Sequence, residues 1–309
     1  DPFDGRKDLA AGIIRTVGDP LVRFDEDGLR IARALRFAAQ LGFSIEEGTW
    51  RAIPQRLSRL EGVSVERFRD EFMKTLHSPH AMRGMELFAQ AGALRRFLPE
   101  LERRYHVQLE QLVNVRLLSF GAEMAELLPL KDDVLRLAAL LAPLPPLNIP
   151  GEDPGLILRR LKLSNLHISE CTRFLEHVAP LPHDGAAPAE LRRRLSLVGP
   201  AHAARLGDLH AAWLSCWEGH GGTRLFDIEA WKDAINTELS KAPPLCTADL
   251  AIDGRTLQKE LDLPPSRLVG ILLEKLLARV IEIPELNTMD QLLAQARELV
   301  HSLKQGGRP

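Results

Sequence analysis

The 309-residue sequence predicts an all-α protein. Apolar residues recur at helical spacing in one segment after another, as in Val65, Phe68, Phe72, Met73 and Leu76. No stretch shows the strict alternation of a half-buried strand. Proline- and glycine-rich breakers separate the periodic segments, and the length suits two or three domains or one long modular array. Apolar content of 45% and charged content of 27% are those of an ordinary globular protein. A net charge of −2 leaves no overall electrostatic footprint for nucleic acid, so any RNA contact must come from local basic stripes. Cys171, Cys216 and Cys246 are far apart and form no CxxC, which reads as buried thiols in a reducing compartment. No apolar run reaches about 18 residues and no signal peptide opens the chain, so a cytoplasmic location is the default expectation.

In chain order, Asp8 to Arg15 reads as a short helix capped by Asp8, and Gly18-Asp19-Pro20 as a turn. The stretch from Asp25 to Phe43, DEDGLRIARALRFAAQLGF, reads as one helix. Glu26, Arg30, Arg33 and Phe37 fall in one stripe with Asp27 at its edge, while Ile31, Leu35, Ala38 and Ala39 form a packing face. Gly42 is placed to stop it. Ser44 or Glu46 opens a run to about Leu57. Ser64 caps VERFRDEFMKTLHS, in which Arg67 and Glu71, four apart, form a surface ion pair as plain chemistry. Ser78-Pro79 breaks the chain, and MRGMELFAQAGALRRFLPEL supplies the next helix with its exit. Two amphipathic helices follow between Gln108 and Ala142, the second being DDVLRLAALLAPL. The segment PLPPLNIPGEDPG, 143–155, carries linker signals and is the main internal boundary. LILRRLKLSN and later helices lead to a second breaker cluster at 180–188. Trp213 and Trp217, four apart, read as helix-packing residues. Lys241 to Leu245 forms the last boundary before the C-terminal segment.

Several short motifs fail on physical grounds. Asp25-x-Asp27 resembles a two-metal carboxylate pair, but residues two apart on a helix diverge by about 200°. Gly221-Gly222-Thr223-Arg224 lacks the preceding strand of a phosphate loop. His183-Asp184 has no partner histidines, and His77 and His80 flank a proline break as surface residues. The runs Arg95-Arg96, Arg103-Arg104, Arg159-Arg160-x-Lys162 and Arg192-Arg193-Arg194 read as solvated faces. No Ser/His/Asp or Cys/His set suggests nucleophilic catalysis.

The N-terminal residues carry a resemblance. Asp1-Pro2, Gly5, Asp8-Leu9, Ile14-Arg15, Gly18-Asp19-Pro20, Arg23-Phe24, Glu26-Asp27, Arg30, Arg33 and Arg36-Phe37 stand in fixed order. This order resembles the bacterial-type (class II) tRNA nucleotidyltransferases, the CCA-, A- and C-adding enzymes and their poly(A) polymerase relatives. Asp253-Gly254, Leu257, Gly270, Leu272 and Asn287-Thr288 continue it more weakly, with Pro265-Ser266 where Pro-Gly is usual. The resemblance implies an elongated helical array of neck, body and tail behind a short remnant of an α/β nucleotidyltransferase head. On that scheme residues 1–20 end the head, 21–60 form a neck with a base-selecting helix, and 61–145 are neck and body helices. Residues 146–245 are body, and 246–309 an RNA-binding tail. Relatives with a His-Asp metal site place it after a stretch like LRLAALL, where this sequence has Ala142-Pro143.

The resemblance also implies roles. Asp27 and Arg30 would read the nucleotide base, with Glu26 and Arg33 fixing their rotamers. Arg67, Glu71 and Arg36 would brace the neck. Cytosine and adenine both present an amino donor beside a ring-nitrogen acceptor, which a carboxylate and a guanidinium satisfy together. Guanine and uracil present the reverse order and would meet acceptor with acceptor and donor with donor. The implied substrates are CTP and ATP, and the implied partner is the tRNA 3′ end. Two Mg²⁺ would be held by carboxylates of a head that is not in this sequence, so no catalytic or metal residue is expected here. Arg255, Lys259, Arg267 and Lys275, with Arg279, are the candidate RNA contacts. The alternatives are a poly(A) polymerase of the same family and a non-catalytic helical RNA-binding module.

Overall fold

A computed structural model describes residues 1–107, 116–142, 152–178, 188–222, 227–264 and 266–305. These residues form seventeen α-helices, four short 3₁₀ turns and one two-stranded pairing. The all-α expectation holds.

Helix α1 (Gly5–Ala11) starts earlier than expected, and Asp8 lies inside it rather than at its cap. Asp8 instead accepts from Arg15 at 2.8 Å. Gly12 ends the helix at φ 66°, a left-handed conformation suited to glycine. The chain then enters β1 (Ile13–Ile14), which pairs in parallel with β2 (Ser44–Ile45), Ile13 opposite Ser44. Two residues per strand give no alternation to detect, so this pairing escaped the sequence pattern.

The expected single helix over Asp25–Phe43 is two. Helix α2 (Pro20–Glu26) is capped by Asp19, whose carboxylate accepts from the Leu21 amide at 2.8 Å. Helix α3 (Leu29–Leu41) begins after Asp27 has turned to an extended conformation. The break has two causes. The Asp27 carboxylate accepts from the Leu29 amide at 3.0 Å, a cap-type bond that competes with continued helix. Gly28 lies against the backbone of another turn, where a Cβ would stand 2.3 Å from the Arg59 carbonyl oxygen. Gly42, at φ 68°, ends α3 as expected.

Glu46 caps α4 (Glu47–Arg56) by accepting from the Thr49 amide at 2.7 Å, and a 3₁₀ turn over Leu57–Gly62 follows. Ser64 caps α5 (Val65–Leu76) as predicted. The remaining helices are α6 (Ala81–Gln90), α7 (Pro99–His106), α8 (Leu117–Glu126), α9 (Asp133–Leu141), α10 (Pro154–Arg160), α11 (Asn165–Leu175), α12 (Pro188–Val198), α13 (Ala203–Gly219) and α14 (Ile228–Ser240). Last come α15 (Gly254–Leu261), α16 (Arg267–Glu282) and α17 (Met289–Gln305). Most of the predicted linker (143–151) and the turn residue at 265 lie outside the described residues.

The chain divides into two compact units, one of Asp1–Pro180 with Leu209–Arg224, the other of Leu181–Asp208 with Leu225–Pro309. The first unit packs α3 on α5 and α6, and α8 on α6 and α9. Its centre is an aromatic cluster in which the Phe68 and Phe97 rings stack at 4.0 Å and Phe88 meets Phe68 edge-on at 6.0 Å. Trp213 and Trp217 stack at 5.2 Å, a packing role, with Trp213 buried. The second unit holds an apolar core of Leu257, Leu272, Leu276, Val280, Leu292 and Ala296 from its last three helices.

The arginine runs are not uniformly solvated faces. Arg104 is buried, bonds Glu152 at 2.7 Å, and donates to the Leu141 and Ala142 carbonyls at the end of α9. Arg192 is buried in the second unit, pairing with Glu238 at 2.7 Å and donating to the Ile281 and Glu282 carbonyls at the end of α16. Arg160 pairs with Glu100 at 2.7 Å. Each ties a helix terminus or a second helix, since buried guanidinium needs acceptors on several sides. Cys171 and Cys216 are buried, and burial pushes the Cys171 thiol up to about 12 and the Cys216 thiol up as well. Among the described residues, no helix is long and apolar enough to cross a membrane.

Candidate functional site

The end of α2, the Asp27-Gly28 turn and the first two turns of α3 bring five predicted residues together. The Glu26 carboxylate receives Arg23 at 2.6 Å and also pairs with Arg30. Arg30 in turn donates to the Arg23 carbonyl at 2.9 Å. Its guanidinium is therefore steadied from one side and left partly open on the other. Arg30, then Arg23, hold the Glu26 carboxyl below its ordinary value.

Asp27 has both oxygens engaged. One accepts from the Leu29 amide at 3.0 Å and the other from Arg67 at 2.8 Å. Burial pushes its carboxyl up, but the Leu29 amide and the Arg67 guanidinium outweigh that and leave it below the ordinary range. Each carboxylate oxygen has two acceptor positions, so capacity for a further donor remains. Arg33 is exposed and lies 6.0 Å from the Phe37 ring centre, while Arg36 stacks on that ring at 3.9 Å.

Arg67 and Glu71 do not pair with each other as predicted. Arg67 reaches across to Asp27, and Glu71 forms a buried pair with Arg36 at 2.5 Å, with Gln40 also bonded to Arg36. Helix α5 thus holds Asp27, just before α3 begins, and Arg36, within it. Asp25 points elsewhere: it accepts from Arg56 at 2.9 Å and Arg59 at 2.7 Å, and Arg59, then Arg56, hold it below its ordinary value. Asp25 and Asp27 each serve separate guanidiniums, which does not fit a shared Mg²⁺ pair. Among the described residues, no group of three or more His, Cys, Asp or Glu could hold a metal ion.

Arg56, Arg59 and Gly28 are parts of the site that the sequence did not reveal as such. A glycine inside a helical pattern was the available signal. Arg255 and Lys259 are exposed on α15, and Arg267 and Lys275 on α16. Arg279 is half-buried and bonds Gln295 at 3.3 Å. His77 meets Asp133 at 3.1 Å, and His80 lies beside Gly42, where a Cβ would be 3.0 Å from its ring nitrogen. His183, Asp184, Thr223 and Arg224 lie outside the described residues.

Residues 42–104 match the family model described as "Probable RNA and SrmB- binding site of polymerase A". The chain is 45% identical over 119 residues to the CCA-adding enzyme of a Geobacillus species, covering 38% of this chain and 29% of that protein. It is 30% identical over 304 residues to the CCA-adding enzyme of Enterococcus faecalis, covering 96% of this chain and 66% of that protein. The crystal structure of the Bacillus stearothermophilus CCA-adding enzyme in complex with CTP superposes with a TM-score of 0.72 at 25% identity. That likeness covers 99% of this chain and 70% of the other. The chain spans 66% of the length of the curated relatives it matches nearly end to end.

Proposed function

The chain belongs to the bacterial-type (class II) tRNA nucleotidyltransferase family, and on that premise we propose that it is the nucleotide-selecting and tRNA-binding part of an enzyme that adds C, A or both, from CTP and ATP, to the tRNA 3′ end. The observation that carries this reading is the pairing of roles at one turn. Asp27 offers carboxylate acceptors, and Arg30, braced by Glu26, offers donors three residues on.

A base with an amino donor beside a ring-nitrogen acceptor satisfies both groups. The reverse pattern of guanine or uracil leaves buried polar groups unpaired, which a site of this kind rejects by factors on the order of 10⁴. Arg67 and the Leu29 amide orient Asp27, and Arg33 and Phe37 extend the same face of α3. The arginines and lysines of α15 and α16 are assigned to phosphate contacts with the tRNA.

The transfer step itself needs carboxylate-held Mg²⁺, which the Asp25 and Asp27 ion pairs do not accommodate. That chemistry is assigned to the part of the full-length relatives beyond the share this chain covers, and these 309 residues alone are assigned no transfer activity. The family model's reference to polymerase A keeps a poly(A) polymerase as the second reading.

The deciding experiment supplies each of the four NTPs to the protein carrying the catalytic segment, with tRNAs ending before, within and after CCA. Stepwise addition that stops at CCA, or addition of A alone to a CC end, supports the reading. Untemplated A tails on any RNA replace it with the polymerase. Mg²⁺-dependent labelling by the 309-residue chain alone overturns the assignment of catalysis elsewhere.

A further inference from the structure

The 3₁₀ turn Leu57–Gly62 works on two sides. On one, Arg59 holds Asp25 at 2.7 Å, and the turn's backbone is the surface against which Gly28 packs. On the other, Ser58 and Glu61 form one wall of a groove of about 560 Å³. The opposite wall carries Arg95 and Arg96, on the turn that follows α6. Gly92 shapes that turn at φ 70°, and a Cβ there would stand 3.1 Å from Leu57 and 3.5 Å from Arg95. A side chain at this position would be strained and would crowd the groove.

The two walls differ in chemistry. Arg95 is largely exposed and spends only its Nε on Glu102, at 3.1 Å, leaving its two terminal amines for another acceptor. Arg96 is exposed, lies 5.3 Å from the Phe97 ring centre, and has no carboxylate partner among the described residues. Facing them, Glu61 and Ser58 are exposed and make no ion pair among the described residues. One wall donates to anions and the other accepts from hydroxyls. Every lining residue falls within 42–104, the stretch matched to a probable RNA-binding site.

We propose that an RNA strand lies in this groove, with a phosphate on Arg95 and Arg96 and a ribose 2′-hydroxyl on Glu61 and Ser58. The inference rests on the reading of the chain as tRNA-binding, and it locates one strand contact beside the base-selecting turn. A phosphate accepts from two guanidiniums at once, and a 2′-hydroxyl donates to a carboxylate where deoxyribose cannot. Because the Leu57–Gly62 turn supports both this groove and Gly28, a strand held here would press on the same turn that sets Asp27.

The test uses the chain, without nucleotide, and a fluorescein-labelled RNA minihelix with a single-stranded 3′ end, alongside the same hairpin with a deoxyribose end. Binding is measured by anisotropy across a salt series. The double variant Arg95→Ala/Arg96→Ala should flatten the slope of log affinity against log salt by about 1.4, two contacts at about 0.7 each for a single strand. Arg95 also holds Glu102, so Arg96→Ala alone is the second variant, expected to lose about 0.7 of slope while melting as the parent does. Glu61→Ala should bring the RNA-to-DNA affinity ratio toward one, and Arg96→Lys should restore the slope. An unchanged slope in the folded Arg96→Ala chain, or an unchanged RNA-to-DNA ratio in Glu61→Ala, overturns the groove assignment alone. Failure of the unsubstituted chain to bind the minihelix overturns the tRNA-binding reading with it.

Discussion

Arg67 donates to Asp27 over 2.8 Å from forty residues away in sequence, so α5 joins the first amide of α3, that of Leu29, in setting the direction of the proposed base-reading carboxylate. The pair is partly exposed, and its contribution to stability should stay below about 1 kcal/mol. Its contribution to selection should be larger. In a protein carrying the catalytic segment, Arg67→Ala should raise KM for CTP and ATP and narrow the preference over GTP and UTP by several-fold. Arg67→Lys keeps the charge but loses the planar fork, and should fall between. Steady-state kinetics with the four NTPs, beside thermal melts of both variants, separate selection from folding.

Glu71 supplies the opposite case. Its pair with Arg36 is buried, with side chains 9% and 10% exposed. Removing one partner leaves a buried charge without its counterion, so Glu71→Ala should cost about 3–5 kcal/mol in urea unfolding. The double change Arg36→Met/Glu71→Leu removes both charges and should cost much less than the single one. Equal losses in single and double variants would mean that packing, not the ion pair, governs this position.

Gly28 has an ordinary helical backbone, φ −58°, so its need is not conformational. A methyl group there would meet the Arg59 carbonyl oxygen at 2.3 Å, the Arg59 carbonyl carbon at 2.5 Å and the Leu60 nitrogen at 2.9 Å. All three are backbone atoms and cannot rotate away. Gly28→Ala should therefore destabilise by about 1–3 kcal/mol, where an exposed helical glycine would gain from the same change. Gly270, with open space around its Cβ position, is the internal control: Gly270→Ala should stabilise. Chemical denaturation of the two variants measures the contrast.

These cases mark where the sequence was legible. Ser64, Glu46 and Gly42 act through bonds to residues a turn away, and a local pattern reads such bonds directly. The sequence pattern runs through Asp27 and Gly28 as one long helix because the break depends on a cap bond plus the close approach of residue 59, which no periodicity encodes. Arg67 and Glu71 read as an i,i+4 pair because helical spacing reveals only partners on the same helix. Their actual partners stand 40 and 35 residues away. Arg104 and Arg192 likewise sit in runs that look solvated, and only the packing shows which helix ends they close.

Glu126 gives a pH prediction with an unusual sign. It is half-buried on α8 and accepts from the Met82 amide at 2.7 Å. Burial raises its carboxyl above the ordinary 4.5, and the Met82 bond and His80 do not fully offset this. A raised acid binds its proton more tightly when folded, so its contribution to stability falls as pH rises from 4.5 through the folded value. Glu126→Gln keeps the acceptor and removes the ionisation. The variant should match the parent near pH 4 and exceed it progressively toward pH 7. Asp27, Glu100 and Glu238 are held low instead, so both proteins should share a loss of stability as the pH falls below about 4. Urea midpoints across this range measure the difference, and a constant offset would locate the effect in packing.

The sharpest prediction concerns Asp27 and Arg30 in a protein that carries the catalytic segment. Asp27→Ala removes the acceptor for the base's amino group and leaves Arg30 as a donor still held by Glu26 and the Arg23 carbonyl. CTP and ATP then lose one charge-assisted bond, about 1.5–3 kcal/mol, or some tenfold to hundredfold in kcat/KM. GTP and UTP lose a repulsion between two acceptors and should suffer less or gain. The preference should collapse faster than the activity. Arg30→Ala should cost more, because it also strips Glu26 of its principal partner and leaves Arg23 as that carboxylate's remaining cation. If the turn were only a salt-bridged surface, both changes would move stability by less than about 1 kcal/mol and leave the ratio of C and A to G and U untouched. Single-turnover rates with the four NTPs distinguish these outcomes, and an unaltered ratio in folded Asp27→Ala enzyme would assign base selection to other residues.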